Sequence, residues 1–160
     1  MLHRSRLLAS LVLVAACGGD KKPANEAASR VNAFVYAPSA YSQVNIAASH
    51  GDAETVRLAY AGDAKAYVGD TGGVGAEKIA AFWVQFYQSC PIKALQRNLE
   101  RYVYGTGTFA DSGSVKIITT SGDTVRATYR THWKLRPADQ GPPQIVFDSI
   151  ALKGKQLRCK

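Results

Sequence analysis

The sequence predicts an α+β domain with an antiparallel sheet, because helical patterns fill its first half and strand patterns its second. The clearest strand pattern covers residues 124–135, where apolar and polar side chains alternate. The clearest helical pattern covers residues 79–87, where large apolar side chains recur at i, i+3, i+4, i+7 and i+8: Ile79, Phe82, Trp83, Phe86 and Tyr87. So wide a stripe needs a broad apolar partner, which a curved sheet supplies.

Two shorter helices are predicted before this one. The first follows Pro38, carries apolar residues at helical spacing and ends at Gly51. Asp52 is a typical N-cap for the second. Residues 64–68 are short enough for a strand. The glycine-rich run 69–75 predicts a flexible loop, since it lacks the spacing of a dinucleotide-binding or phosphate-binding motif.

Four strands are predicted after Pro91, at residues 102–109, 114–121, 124–135 and 145–152. Gly122-Asp123 between the second and third is typical of a hairpin turn. The alternation in the third strand places one set of residues on the inner face: Val125, Ala127, Tyr129, Thr131, Trp133 and Leu135. The outer face then carries Arg126, Thr128, Arg130, His132, Lys134 and Arg136.

Residues 1–16 have the organisation of a cleaved export signal. Arg4 and Arg6 precede a ten-residue apolar run, about half of the roughly 20 residues that cross a bilayer. The four residues that end at Cys17, Val-Ala-Ala-Cys, resemble the lipobox of bacterial lipoproteins. The resemblance implies a lipid on Cys17 and an anchor in the cell envelope. Residues 17–37 are predicted to be the lipidated N-terminus and a flexible tether.

The residues after Cys17 bear on the choice of membrane. Gly18 and Gly19 stand where, in Gram-negative lipoproteins, an aspartate favours retention in the inner membrane. In such an organism the resemblance therefore implies the outer membrane, on its periplasmic or its surface side.

Export also bears on the other two cysteines, Cys90 and Cys159. In an oxidising compartment such a pair usually forms a disulfide, which would tie the C-terminal tail to the end of the central helix. A metal site is the alternative, but two thiols without clustered histidines make a poor ligand set. We expect a Cys90–Cys159 disulfide, no metal and no cofactor.

The charge is unevenly distributed. The chain has 20 basic and 12 acidic residues, and removal of Arg4 and Arg6 lowers its net charge from +8 to +6. Residues 17–92 carry six basic and seven acidic side chains, whereas residues 93–160 carry twelve and five. A basic C-terminal half predicts attraction to anionic lipid or cell-wall polymer, or simply aids solubility. Export argues against nucleic acid.

Four short motifs resemble the SnoaL-like branch of the nuclear-transport-factor-2-like (NTF2-like) superfamily. They are HGDAE at 50–54, GAEKIAAF at 75–82, SGDTV at 121–125 and PQIVFD at 143–148. A family tryptophan before the last strand is missing here. The resemblance covers residues 38–153 and implies a SnoaL-like domain at 38–160. Its fold would be a strongly bent antiparallel sheet wrapped around three helices, a cone with a pocket at its wide end.

The family includes isomerases, cyclases, hydrolases and members without catalytic activity, so the fold cannot choose a function. Its enzymes bury carboxylates in the cone, and the cyclases use an aspartate on a late strand, which implies Asp148 as general acid or base. The alternative is a structural pairing with Arg126 or Arg130. If Asp148 is exposed or bonded to arginine, the enzymatic hypothesis fails.

The remaining side chains suggest an apolar pocket. His50 is expected at a helix end and His132 in solvent, so neither is predicted to act in chemistry. The predicted pocket residues are aromatic: Tyr60, Tyr67, Phe82, Trp83, Phe86, Tyr102, Tyr104, Tyr129 and Trp133.

Three functions follow. The sequence favours an anchored binding module for a small apolar ligand. The second hypothesis is an isomerase, cyclase or hydratase that uses Asp148. The third is an interaction protein that docks anionic envelope partners on Arg126, Arg130 and Lys134. A homodimer is left open.

Overall fold

The computed structural model describes residues 24–90 and 92–152 together with Leu157 and Cys159, and for residues 24–34 and 138 the backbone alone. The predicted signal peptide and Cys17 lie outside the described residues. The helices are α1 (Ala24–Ser49), α2 (Ala53–Ala59) and α3 (Ala76–Ser89). The strands are β1 (Tyr60–Val68), β2 (Thr71–Val74), β3 (Ile92–Gly105), β4 (Thr108–Thr119), β5 (Thr124–Lys134) and β6 (Gln144–Leu152).

The strands form one open, curved sheet in the order β2-β1-β6-β5-β4-β3. The predicted α+β class with three helices and a bent sheet is confirmed. One detail of the prediction was wrong: β1 and β6 pair in parallel, whereas the other described pairs are antiparallel. Hairpins force antiparallel pairing, but β1 and β6 are distant in the chain and no hairpin joins them.

Helix α3 supplies the apolar stripe that the sequence predicts. Ile79, Trp83 and Phe86 are buried against the inner face of the sheet. Phe82 and Tyr87 lie half-buried at the two edges of this stripe. Among the described helices, none has both the length and the apolarity that a membrane span needs.

Helix α1 is longer than predicted. Its expected start was Pro38, but it begins at Ala24, so the predicted tether overlaps the helix at residues 24–37. Proline in a helix interior removes a hydrogen bond, which is why the sequence suggested a start there. Packing on both sides of Pro38 favours a continuous helix, because Ala37 and Tyr41 are buried and the ring of Tyr36 contacts Trp133.

The glycine-rich run was also predicted wrongly, because it forms β2 and the β1–β2 hairpin instead of a loop. Glycine is rare in strands, but here close packing requires it. A Cβ atom on Gly72 would lie 2.0 Å from the backbone oxygen of Ala66, and one on Gly73 would lie 2.9 Å from the backbone of Lys78.

Strand β3 differs most from its prediction. It covers Ile92–Gly105, and the turn to β4 falls inside the strand predicted at 102–109. Pairing with β4 shifts register between Ile92 and Ala94 and again between Leu99 and Arg101. Such bulges interrupt the two-residue alternation that identifies a strand in sequence.

Strand β5 matches its prediction on both faces. Its burial alternates residue by residue, with Val125 to Trp133 at odd positions inward and Arg126, Arg130 and Lys134 exposed. The turn before it is longer than the expected two residues. Gly122 has a φ of 89°, and the backbone N–H of Thr119 donates to the carbonyl of Asp123 at 2.9 Å.

Candidate functional site

An ion pair between Arg97 and Asp148 lies at the centre of the concave side of the sheet. Arg97 is on β3 and Asp148 on β6, and their side chains are 6% and 1% exposed. Both terminal nitrogens of Arg97 donate to the carboxylate, Nη1 to Oδ1 and Nη2 to Oδ2, each at 2.8 Å. This two-bond geometry matches a planar guanidinium to a planar carboxylate and is the strongest form of the pair.

Two hydroxyl groups complete the surroundings of Asp148. Thr131 donates to Oδ1 at 3.1 Å, and Tyr60 donates to Oδ2 at 3.1 Å. The indole N–H of Trp83 donates to the Tyr60 hydroxyl at 2.8 Å, so this hydroxyl is held in place. The carboxylate thus accepts four hydrogen bonds.

Aromatic rings enclose the other side of Arg97. Its guanidinium carbon lies 4.0 Å from the centre of the Tyr41 ring and 4.9 Å from that of Tyr129. Burial opposes the charge of Arg97, but Asp148, together with Tyr41 and Tyr60, raises the pKa of the guanidinium above its usual value. Within the described residues, Nε of Arg97 has no hydrogen-bond partner.

A second buried carboxylate, Asp111 on β4, lies beside this pair and is 1% exposed. The indole N–H of Trp133 donates to it at 2.6 Å, and the Tyr41 hydroxyl lies 2.7 and 2.8 Å from its two oxygens. Tyr129 is a further hydrogen-bond partner. Burial raises the pKa of Asp111, while these hydrogen bonds and Arg97 oppose the rise.

The arrangement is poorly suited to acid–base chemistry. A general base needs an oxygen free to reach a substrate proton. Asp148 is occupied by Arg97 and two hydroxyls, and Asp111 by an indole and two phenols. Asp148 is bonded to arginine, which is one of the two arrangements stated above to count against the enzymatic hypothesis. Its partner is also not the predicted one, since Arg126 and Arg130 lie on the opposite face of the sheet.

A cleft of about 840 Å³ lies under the C-terminal half of α3, and we call it the α3 cleft. Its apolar wall comes from β1, α3, β6 and the C-terminal tail: Val68, Phe82, Phe86, Ala151, Leu152 and Leu157. Its polar groups include Asp70, Thr71, Gln85 and Ser89. An apolar wall with a few polar groups, in a volume of roughly 300–1,000 Å³, is typical of small-molecule sites.

The second cleft, of about 310 Å³, lies between α1 and β3, and we call it the α1 cleft. Asn45, Tyr87 and Lys93 line it, and Tyr41 and Arg97 form its inner end. It is less than half as large as the α3 cleft. The α3 cleft is therefore the better site for a small-molecule ligand of ordinary size.

The predicted pocket residues separate into three groups. Phe82 and Phe86 line the α3 cleft. Four others are buried in the core and line neither cleft: Tyr60, Trp83, Tyr129 and Trp133. The last three lie elsewhere: Tyr102 and Tyr104 stack on each other near Phe109, and Tyr67 contacts Phe147. The four buried aromatic side chains belong to the core because they fill the space between α1, α3 and the sheet.

The predicted disulfide between Cys90 and Cys159 is confirmed. Cys90 caps the C-terminus of α3, and both cysteines line the α3 cleft. The bond therefore holds Leu157 and Cys159 of the tail as one wall of the cleft. Among the described residues, no group of three histidine, cysteine or acidic side chains could hold a metal ion.

The two described histidines lie away from this network. His50 Nδ1 lies 2.8 Å from the carbonyl oxygen of Ile46 at the end of α1. His132 is less solvated than expected, because its ring packs against Phe147 and its Nε2 is buried. Burial and the nearby Arg130 lower the pKa of His132.

Arg97 and Asp111 were missed in the sequence. Asp111 shares its parity with Phe109 and Val115 on β4, and this alternation was the available signal for an inward carboxylate. Arg97 had no comparable signal, because β3 was not predicted at that position.

Comparison with known proteins extends the fold assignment. No family model matches the sequence, and no curated protein matches it. An NTF2-like protein with a cystatin-like fold from Novosphingobium aromaticivorans is similar in structure, with a TM-score of 0.62 and 17% identity over 85% of this chain and 94% of that one. A domain of unknown function from Nostoc punctiforme has a TM-score of 0.62 and 15% identity over 78% and 80% of the chains.

A protein of unknown function from Mycobacterium tuberculosis is also similar, with a TM-score of 0.63 and 12% identity over 84% of this chain and 78% of that one. These likenesses establish the class of the molecule: the chain has an NTF2-like, cystatin-like fold. At such identities they show the fold alone, and a fold of this kind carries many functions.

Proposed function

We propose that the protein is a lipid-anchored, non-catalytic binding module that holds a small, largely apolar ligand in the α3 cleft. The proposal rests on the cleft itself. Phe82, Phe86 and Leu152 lie on its wall, and Gln85 and Ser89 are among its polar groups. Such a lining suits a ligand with an apolar body and one or two polar groups.

The interior network supports a non-catalytic role. Its two carboxylates, Asp148 and Asp111, are buried and hydrogen-bonded by protein side chains. An enzyme of the isomerase, cyclase or hydratase type would have to break the Arg97–Asp148 pair before Asp148 could take a proton. Breaking a buried ion pair is costly, so the binding module is the better hypothesis.

A cleft-filling substitution tests the site. Gln85 lies on the exposed side of α3 and lines the α3 cleft, so Gln85→Trp should fill part of it with little effect on the core. Binding of the neutral apolar dye N-phenyl-1-naphthylamine, followed by its fluorescence, should weaken about tenfold or more, since an occupied cleft loses apolar contact area.

The matched control is Gln88→Trp, the same change at an exposed α3 position that does not line the cleft. It should leave dye binding within about twofold of the wild type. Equal weakening by both variants, or no binding by the wild type, would contradict the α3 cleft as the binding site.

The anchor and the finer family assignment rest on sequence. The lipobox-like residues before Cys17 support lipidation, and the order of the four motifs supports the SnoaL-like branch. In the cell, Cys17→Ala should abolish labelling by radioactive fatty acid and release the protein from the membrane fraction of the envelope. Persistent labelling of the variant would refute the anchor. In a Gram-negative host we expect the wild type in the outer membrane.

A further inference from the structure

The outer face of the sheet carries a two-dimensional array of exposed cations. Cross-strand partners share a face of a sheet, so the register shows which residues belong to it. Arg101, Ser112 and Arg130 are aligned across β3, β4 and β5, and Lys116 lies opposite Arg126. We call the following six exposed residues the outer cationic face: Lys65, Arg101, Lys116, Arg126, Arg130 and Lys134.

The array is not neutralised within the protein. In the described part of the chain, none of the six cations has an ion pair. The residue aligned between Arg101 and Arg130 is Ser112, and Lys116 is the direct cross-strand partner of Arg126. Like charges directly opposite each other, as at Lys116 and Arg126, destabilise a sheet. An anionic partner that covers this face would relieve that repulsion.

The shape of the array indicates an extended partner. From Arg126 to Lys134 it spans roughly 26 Å along β5, and from β1 to β3 about 19 Å across the strands. None of its six cations lines the α3 cleft or the α1 cleft. A small anion is bound by groups that converge on it, whereas these cations are spread over a surface. A second copy of the chain at this face would bring like charges together, which disfavours a homodimer there.

The chain length before α1 favours a membrane over a more distant polymer. This step rests on the lipid anchor proposed above. Six residues separate Cys17 from Ala24, where α1 begins. Extended, this segment reaches at most about 25 Å. The tether would therefore let the outer cationic face reach the lipid surface, where anionic headgroups attract cations within about 10 Å.

We propose that the outer cationic face docks on an anionic phospholipid surface. Exposed Val103 lies in the same face, two residues after Arg101, and supplies an apolar contact at the lipid interface. Docking orients the domain so that the outer cationic face contacts the membrane. The α3 cleft lies mainly on the opposite side of the sheet, next to α3.

The test uses the mature chain, residues 17–160, with Cys17→Ala so that no lipid contributes. The chain is sedimented with vesicles of phosphatidylcholine alone or of phosphatidylcholine with one third phosphatidylglycerol. We expect binding to the anionic vesicles only, weakening as salt rises. Arg126→Gln with Arg130→Gln should weaken that binding roughly tenfold or more, because each cation near the surface contributes separately.

The control removes two exposed cations elsewhere, Lys78→Gln with Lys93→Gln, and should change vesicle binding less than about twofold. Equal binding to neutral vesicles, equal effects of the two double variants, or no vesicle binding would overturn the proposal. Binding to soluble polyglutamate without binding to vesicles would also overturn it, in favour of a polymer partner. Dye binding in the α3 cleft is measured separately, so either proposal can fail alone.

Discussion

Arg97 and Asp148 form the polar centre of an otherwise aromatic interior. Each removes the cost of burying the other, and Thr131 and Tyr60 satisfy the remaining acceptor sites of the carboxylate. Such a pair adds little net stability compared with apolar residues of the same volume, but losing one partner leaves an uncompensated charge. Its role here is to fix β3 against β6 across the concave side of the sheet.

Asp148→Asn should lower the free energy of unfolding by about 3–5 kcal/mol, because Arg97 loses its counter-charge while remaining buried. Urea unfolding followed by tryptophan fluorescence measures the change. The control is Asp139→Asn, which removes an exposed carboxylate and should change stability by less than about 0.5 kcal/mol. The double variant Arg97→Met with Asp148→Leu should recover much of the loss, and equal stability of Asp148→Asn and wild type would contradict the structural role.

For individual residues, the sequence predicted which side chains are buried better than it predicted which partners they contact. Asp148 shares a strand face with apolar residues, which predicted that it would be buried, and it is. Its partner is 51 positions away on a strand that was not predicted, and only the tertiary fold brings the two together. For the same reason most of the aromatic residues could be identified as inward, but not divided between the core and the cleft, and Tyr67 lies on the outer face instead.

The β1–β2 hairpin shows how an element can depend on glycine. β2 approaches β1 so closely at Gly72 that a Cβ atom would overlap the backbone oxygen of Ala66. The same hairpin leads into α3, where the N–H of Gly75 donates to the carbonyl of Ala64 at 2.8 Å. The β1–β2 hairpin also contributes Asp70, from its turn, and Thr71, from β2, to the α3 cleft.

Gly72→Ala should therefore destabilise the protein by about 1–3 kcal/mol, since overpacking forces the two strands apart. The matched control is Gly62→Ala in β1, because a Cβ atom there meets nothing within 4 Å. Thermal unfolding should show a clearly lower Tm for Gly72→Ala and almost no change in Tm for Gly62→Ala. Equal Tm values for Gly72→Ala and the wild type would mean that the hairpin is looser than described.

Elements were predictable where their pattern was regular. The alternation of β5 and the wide stripe of α3 each produced the expected face. β2 escaped prediction because glycine is depleted in strands, and β3 because two bulges and an inward arginine broke its alternation. Pro38 misplaced the start of α1, since packing outweighs the local preference of proline.

At the scale of the whole molecule, the disulfide links the end of α3 to the C-terminal tail across 69 positions of sequence. Its reduction should lower the free energy of unfolding by roughly 4 kcal/mol, because the unfolded chain regains the freedom of a long loop. Cys90→Ser with Cys159→Ser should reproduce the effect of dithiothreitol, and Cys17→Ala should not. Dithiothreitol that leaves Tm unchanged would contradict this contribution.

The molecule separates its charges by layer. The interior carboxylates are stabilised by Arg97 and by hydrogen bonds, whereas six exposed cations of the basic excess lie on the outer face. The predicted net charge of the C-terminal half indicated this excess but not its arrangement. The α3 cleft, whose lining combines apolar side chains with a few polar groups, is where we propose that a ligand meets the protein.

The central claim is that a ligand occupies the α3 cleft and not the polar interior. An NMR titration of the mature chain with N-phenyl-1-naphthylamine tests it most directly. We expect the amide signals of residues 69–71 and 82–89 to shift, while those of Asp111 and Asp148 and the indole N–H of Trp133 stay unchanged. Shifts centred on Asp111, Asp148 and Trp133 would place the ligand in the interior and contradict the account.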